Sequence, residues 1–159
     1  MKSASLAEIR KELKSLSREE VMALCEKLAK YKKDNKEYLN YLLFDSIDEE
    51  AYAQRIKHDV AEAFNATNTS GFYLAKKSIR RALRIANKYI KYSDKKETEL
   101  DVLLFFCEEM NSLDLNWKRS KVLVNLYNRQ VKKVKKLFSE MHEDLQFEFA
   151  ERLERVVVS

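Results

Sequence analysis

FYLAKKSIRRALRIANKYIKY, residues 72–92, sets apolar side chains at steps of three and four: Ala75, Ile79, Ala82, Leu83, Ala86, Tyr89 and Ile90. That spacing is the 3.6-residue period of an amphipathic α-helix. Lys77, Arg81, Arg84, Lys88 and Lys91 fall on the opposite side at the same steps, a basic ridge with no acid between them. The ridge sits in a longer acid-free window, residues 63–93, that also holds Lys76 and Arg80.

The same period extends in both directions. Downstream, Asp94-Lys95-Lys96-Glu97 resembles a capping box and opens a sixth helix with Leu100, Leu103, Leu104, Cys107 and Met110 inward. That helix carries Glu97, Glu99, Asp101, Glu108 and Glu109. Residues 111–116 read as a break. The stripe of 117–141 (Leu123, Leu126, Tyr127, Val131, Val134, Leu137, Phe138, Met141) reads as one helix, or as two bent near Asn128. It belongs to a second acid-free window, 115–139, with Lys118, Arg119, Lys121, Arg129, Lys132, Lys133, Lys135 and Lys136. A last helix, from about Glu143 to Val157, turns Leu145, Phe149, Leu153 and Val156 inward.

Upstream, Thr67-Asn68-Thr69-Ser70-Gly71 is the clearest loop. Asp48 caps a helix with Glu49 and Glu50 in its first turn, where the helix dipole favours them. Tyr52, Ile56, Val60, Ala63 and Phe64 form its inner stripe. Ser5-Leu6-Ala7-Glu8 and Ser17-Arg18-Glu19-Glu20 fit two capping boxes, and the chain restarts again near Asp34 and Asn35.

The chain has 159 residues, no proline and one glycine, so β-turn chemistry is almost absent. The reading is all-α: seven to nine helices in antiparallel pairs, stacked as a HEAT-like α-solenoid or an irregular helical bundle. The length suits a single domain, 1–159, with a division into 1–66 and 72–159 around the loop as the variant. Cys25 and Cys107 fall on apolar faces and read as small buried hydrophobes, which fits a reducing compartment. No apolar signal region opens the chain. The longest apolar run, 102–107, is far short of the ~20 residues that span a bilayer. The expectation is a cytoplasmic protein without membrane contact.

Charge carries the functional reading. At 36% the charged fraction exceeds the usual quarter or so, while the formal net charge is only +5, so clustering informs more than the total. The candidate partner-binding residues are Lys77, Arg81, Arg84, Lys88, Lys91, Lys132, Lys133 and Lys136. A basic face can hold phosphates, with Tyr73, Tyr89, Tyr92 and Trp117 near enough to stack on bases. Against this, the acidic sixth helix is the natural neighbour of the basic fifth, and pairing between them would neutralise the ridge.

Other chemistry has little support. His58, Asp59 and Glu62 share helical spacing, and His142-Glu143-Asp144 lies elsewhere, but no zinc-binding pattern is present; no metal and no cofactor are expected. One glycine cannot build a phosphate loop, and no nucleophile motif occurs, so an enzyme is not expected. The aromatic and apolar clusters 38–44 and 103–106 exceed one helix stripe, which means burial on two sides or a partner. Val156-Val157-Val158 either docks on the core or joins a dimer contact.

Met141-His142-Glu143-Asp144-Leu145-Gln146-Phe147-Glu148-Phe149, with residues 28–37 (LAKYKKDNKE) and Tyr41-Leu42-Leu43-Phe44, resembles uncharacterised all-helical proteins of bacteria grouped as a domain of unknown function. The resemblance implies a bacterial cytoplasmic protein and supplies no site. The leading reading is a non-enzymatic interaction or scaffold module with an acidic protein partner. The alternative is a nucleic-acid binder using the 77–91 ridge.

Overall fold

The computed structural model describes residues 2–67 and 70–158; Asn68 and Thr69, the middle of the expected loop, lie outside the described residues. The protein is 85% helical, with eight α-helices and no strand among the described residues. It divides into two compact units, Met1–Phe44 and Asp45–Ser159. That division falls ahead of the 67–71 loop, where the sequence offers its own variant boundary.

The first unit holds α1 (Leu6–Ser15), α2 (Arg18–Tyr31) and α3 (Lys33–Leu43). Both expected capping boxes form. Ser5 N–H donates to Glu8 Oε2 (2.7 Å), and Glu8 N–H donates back to Ser5 Oγ (3.3 Å). Ser17 and Glu20 repeat the exchange at 2.7 and 3.2 Å. Helix α2 packs on α3, and Asn35 Nδ2 donates to the Leu28 carbonyl (2.8 Å). The apolar side chains of these helices are largely uncovered: Leu6, Leu28 and Tyr31 are exposed, and Tyr41 is the only buried residue in the three. Cys25, expected inside, is therefore exposed. Its helix face is apolar, but three short helices enclose too little interior to cover it.

The second unit begins with a 3-10 turn, Asp45–Ile47, and continues through α4 (Glu49–Asn65), α5 (Phe72–Ser93), α6 (Lys96–Ser112), a 3-10 turn at Trp117–Arg119, α7 (Lys121–Ser139) and α8 (Glu143–Val158). Helix α6 is the hub, packing on α4, α5, α7 and α8. That explains its apolar girth: Leu100, Val102, Leu103, Leu104, Phe106, Cys107 and Met110 are all fully buried, on more than one side of the helix. Around it α4 contributes Ile56, Val60 and Phe64, α5 Ile79, Ala82 and Ala86, and α7 Leu123 and Val134. Phe64 and Phe106 meet with ring centroids 5.3 Å apart.

Polar bonds fix the helix ends. Asp48 accepts from Ala51 N–H (2.9 Å), as its capping role requires. Asp94 does not cap α6. It takes the left-handed conformation (φ 55°) that closes α5, a role aspartate tolerates, and the residue at the start of α6 is Lys95. Glu49 on α4 ties this corner down by accepting from Ser93 Oγ and Thr98 Oγ1, both at 2.8 Å. Helix α7 is one helix, entered through the 3-10 turn. The C-terminal valines divide: Val156 is buried, and its carbonyl accepts from Tyr127 OH (2.8 Å), while Val157 and Val158 are exposed.

Candidate functional site

Helices α5 and α7 stand on two sides of α6, and a groove of about 530 Å³ runs where they face each other. Its wall on α5 carries Lys76, Lys77, Arg80 and Arg84; α7 contributes Arg129. Leu83 and Leu126 form an apolar floor, Tyr73 stands at one end and Asn87 at the other. No acidic side chain lines it. The two basic windows of the sequence thus meet on one surface.

The ridge read from the sequence is split by this arrangement. Lys77 and Arg84 line the groove. Arg81 and Lys88 do not, because their helical phase turns them past it. Lys91 lies in the adjoining recess with Lys95, Lys96 and Lys133. Lys132 shares a shallow recess with Arg129. Lys133 pairs with Glu99 (2.5 Å), and Lys136 stands 4.0 Å from Glu140. The sequence reading missed Lys76, Arg80 and Arg129 as groove residues. The signal existed: Lys76, Arg80, Leu83 and Asn87, at steps of four, three and four, form a stripe directly beside the core stripe.

The acidic α6 does not neutralise α5. Three of its carboxylates, Glu99, Asp101 and Glu108, are committed elsewhere, which corrects the expectation that flanking charges would consume the ridge. Asp101 takes Lys57 of α4 (2.6 Å) and Arg152 of α8 (2.5 Å). Glu108 takes Arg152 through two hydrogen bonds of 2.8 and 2.9 Å, and Glu99 takes Lys133. Among the described residues, Lys76, Lys77, Arg80, Arg81, Arg84 and Lys91 make no ion pair. The physical reason is the hub position of α6: it faces four helices, and these three acids reach cations on α4, α7 and α8. Burial works against the charge of Arg152, but its bonds to Glu108 and Asp101 prevail and raise its pKa.

The aromatic side chains named for stacking are mostly engaged. Trp117 is 5% exposed and packs on Tyr127 with centroids 4.7 Å apart. Tyr89 and Tyr92 pair edge to face at 5.9 Å, and the Tyr89 carbonyl accepts from Tyr52 OH. Tyr73 alone stands free at the groove, 80% exposed.

Elsewhere, burial first and then Glu108 push the Cys107 thiol up to about 12, and burial carries the Tyr127 hydroxyl to about 12 as well. His58, Asp59 and Glu62 are exposed, and no three His, Cys, Asp or Glu side chains converge on a metal-binding position among the described residues. No described helix is long and apolar enough to cross a membrane. No protein-family model, curated protein or solved structure matches the chain.

Proposed function

We propose that this protein is a non-enzymatic interaction module that holds an acidic protein partner in the α5–α7 groove. The observation that carries this reading is five bases, Lys76, Lys77, Arg80, Arg84 and Arg129, around an apolar floor with no acid among them. Unneutralised charge of one sign in a groove concentrates the field on that surface and steers an oppositely charged partner to it. The floor of Leu83 and Leu126 suits the apolar side chains of a polypeptide better than a sugar-phosphate backbone. Of the aromatic side chains that could stack on bases, Trp117 is buried and Tyr89 and Tyr92 pack on each other, which leaves Tyr73 alone at the groove. We assign the module to a cytoplasm, a bacterial one on the sequence likeness, where the exposed Cys25 thiol stays reduced.

The test is fluorescence anisotropy at about 0.15 M salt, where exposed long-range charge effects are screened within ~8 Å. The probes are a labelled glutamate-rich peptide with interspersed leucines, a DNA single strand and a DNA duplex. The peptide should bind, about tenfold or more weaker after Arg80→Glu with Arg84→Glu, a loss of about 1.4 kcal/mol or more. Arg81→Glu, outside the groove, should change little. Nucleic acid binding more tightly than the peptide, and abolished by the same reversals, would transfer the groove to the nucleic-acid reading. If no probe binds, the groove is not a binding surface.

A further inference from the structure

Helix α8 presents the kind of surface that the α5–α7 groove lacks. Phe147 is 88% exposed, the most exposed apolar side chain described in the second unit. On a helix its neighbours are three and four residues away: Glu143 and Asp144 on one side, Ala150 and Glu151 on the other. Glu143, Asp144 and Glu151 are all exposed; among the described residues Glu143 makes no hydrogen bond or ion pair, while Asp144 lies 3.4 Å from His142 and Glu151 pairs with Arg155 of the same helix. Helix α8 packs on α6 and α7 through Phe149 and Val156, so this outer face is free of the unit's own core.

We propose that the acidic partner of the groove is a second copy of this chain, which inserts Phe147 over Leu83 and Leu126 while its α8 carboxylates meet Lys76, Arg80, Arg84 and Arg129. The proposal rests on the reading of the groove as a surface for acidic protein. Three features select this occupant. The signs are complementary: one surface holds bases without acids, the other acids around an apolar knob. The apolar parts match, a single exposed ring against a two-leucine floor. The other uncovered apolar helices of the molecule, α1 to α3, do not fit: residues 1–44 carry ten bases against seven acids. Because knob and groove are different surfaces of one chain, the contact is head-to-tail. Such a contact leaves one free groove and one free knob at the ends, so copies add to a chain or close into a ring.

The experiment uses the full-length protein in sedimentation equilibrium across about 1 µM to 1 mM, the range of weak to moderate association. Wild-type protein should grow in mass beyond the dimer with concentration, and less so as salt rises. Phe147→Glu should block the knob, and Arg80→Glu with Arg84→Glu should block the groove; each variant alone should stay monomeric. These sites are exposed, so helical content by circular dichroism should be unchanged. Mixed one to one, the variants should form a dimer and stop there, because each brings one intact surface. Wild-type protein that stays monomeric throughout, or a mixture without a dimer, overturns the proposal, as does a Phe147→Glu variant that assembles like wild type. If self-association fails while the acidic peptide still binds the groove, only the identity of the partner falls. If the peptide also fails, the function proposed for the groove falls with it.

Discussion

Replacing Arg152 with methionine removes the one guanidinium that joins α8 to two acids of α6. In the native protein it donates to both oxygens of Glu108 (2.8 and 2.9 Å) and to Asp101 (2.5 Å), and Asp101 is shared with Lys57 of α4 (2.6 Å). The side chains are substantially shielded: Arg152 is 25% exposed, Asp101 16% and Glu108 29%. Breaking a fully buried pair by removing one partner costs about 3–5 kcal/mol, because the remaining charge is left uncompensated. Exposed pairs are worth about 0–1 kcal/mol. Here Asp101 keeps Lys57, while Glu108 is left without a cation among the described residues and stays partly wet. The expected loss is therefore intermediate, about 2–3 kcal/mol. Methionine keeps most of the stem that packs on α8's neighbours, so the loss is chiefly electrostatic. The single tryptophan, Trp117, is buried against Tyr127, so its fluorescence in a urea titration reports unfolding of the second unit. Arg155→Met, which removes an exposed pair with Glu151, is the control. Adding Glu108→Gln to Arg152→Met should recover part of the stability. A loss below about 1 kcal/mol, or one no larger than that of Arg155→Met, would refute the argument that this network clamps α4, α6 and α8.

Three further substitutions separate core from groove and test a titrating group. Leu104→Ala empties a fully buried site on the hub and should cost about 2–5 kcal/mol in the same titration. Leu83→Ala removes a half-buried groove side chain and should cost clearly less, so equal losses would contradict the placement of Leu83. Burial, then repulsion from Glu108, raises the pKa of Glu109 above the ordinary carboxylate value. The fold thus disfavours the charged form: its penalty is fully present at neutral pH and vanishes below the unfolded pKa of about 4.3, where the group is protonated in both states. Glu109→Gln should stabilise the protein at pH 7, by up to about 0.5 kcal/mol. Near pH 3 it should be neutral, and stabilisation of the same size at both pH values would rule out this cause.

The helices were legible because their signals are local. Ser5 with Glu8, Ser17 with Glu20 and Asp48 alone cap the helices they begin, as short-range bonding dictates. The girth of 103–106 reported a helix buried on more than one side, and α6 is that helix. Asp94 misled because a cap motif contains no statement of which helix it serves. The same aspartate that could open α6 closes α5 in the left-handed region, held at a corner where Glu49 arrives from a distant part of the chain. Cys25 misled because an apolar face predicts burial only if something exists to cover it, and that depends on how many helices surround it.

The groove was half legible for a related reason. Periodicity in one helix tells inside from outside, which made Lys77, Arg81, Arg84, Lys88 and Lys91 look like one surface opposite the core. A groove forms at the flank, between the core stripe and the solvent stripe, and its second wall belongs to another helix. So Lys76 and Arg80 matter there, Arg81 does not, and Arg129 joins from α7. The pairing of the charges was illegible for the same reason. Sequence adjacency suggested that acidic α6 would neutralise basic α5, but a helix touching four others distributes its acids among all of them. Lys57, Arg152 and Lys133, drawn from α4, α8 and α7, reach Asp101, Glu108 and Glu99 first. What remains at the groove, on Lys76, Lys77, Arg80 and Arg84, is charge without an ion pair among the described residues, and the order of helices along the chain could not have revealed it.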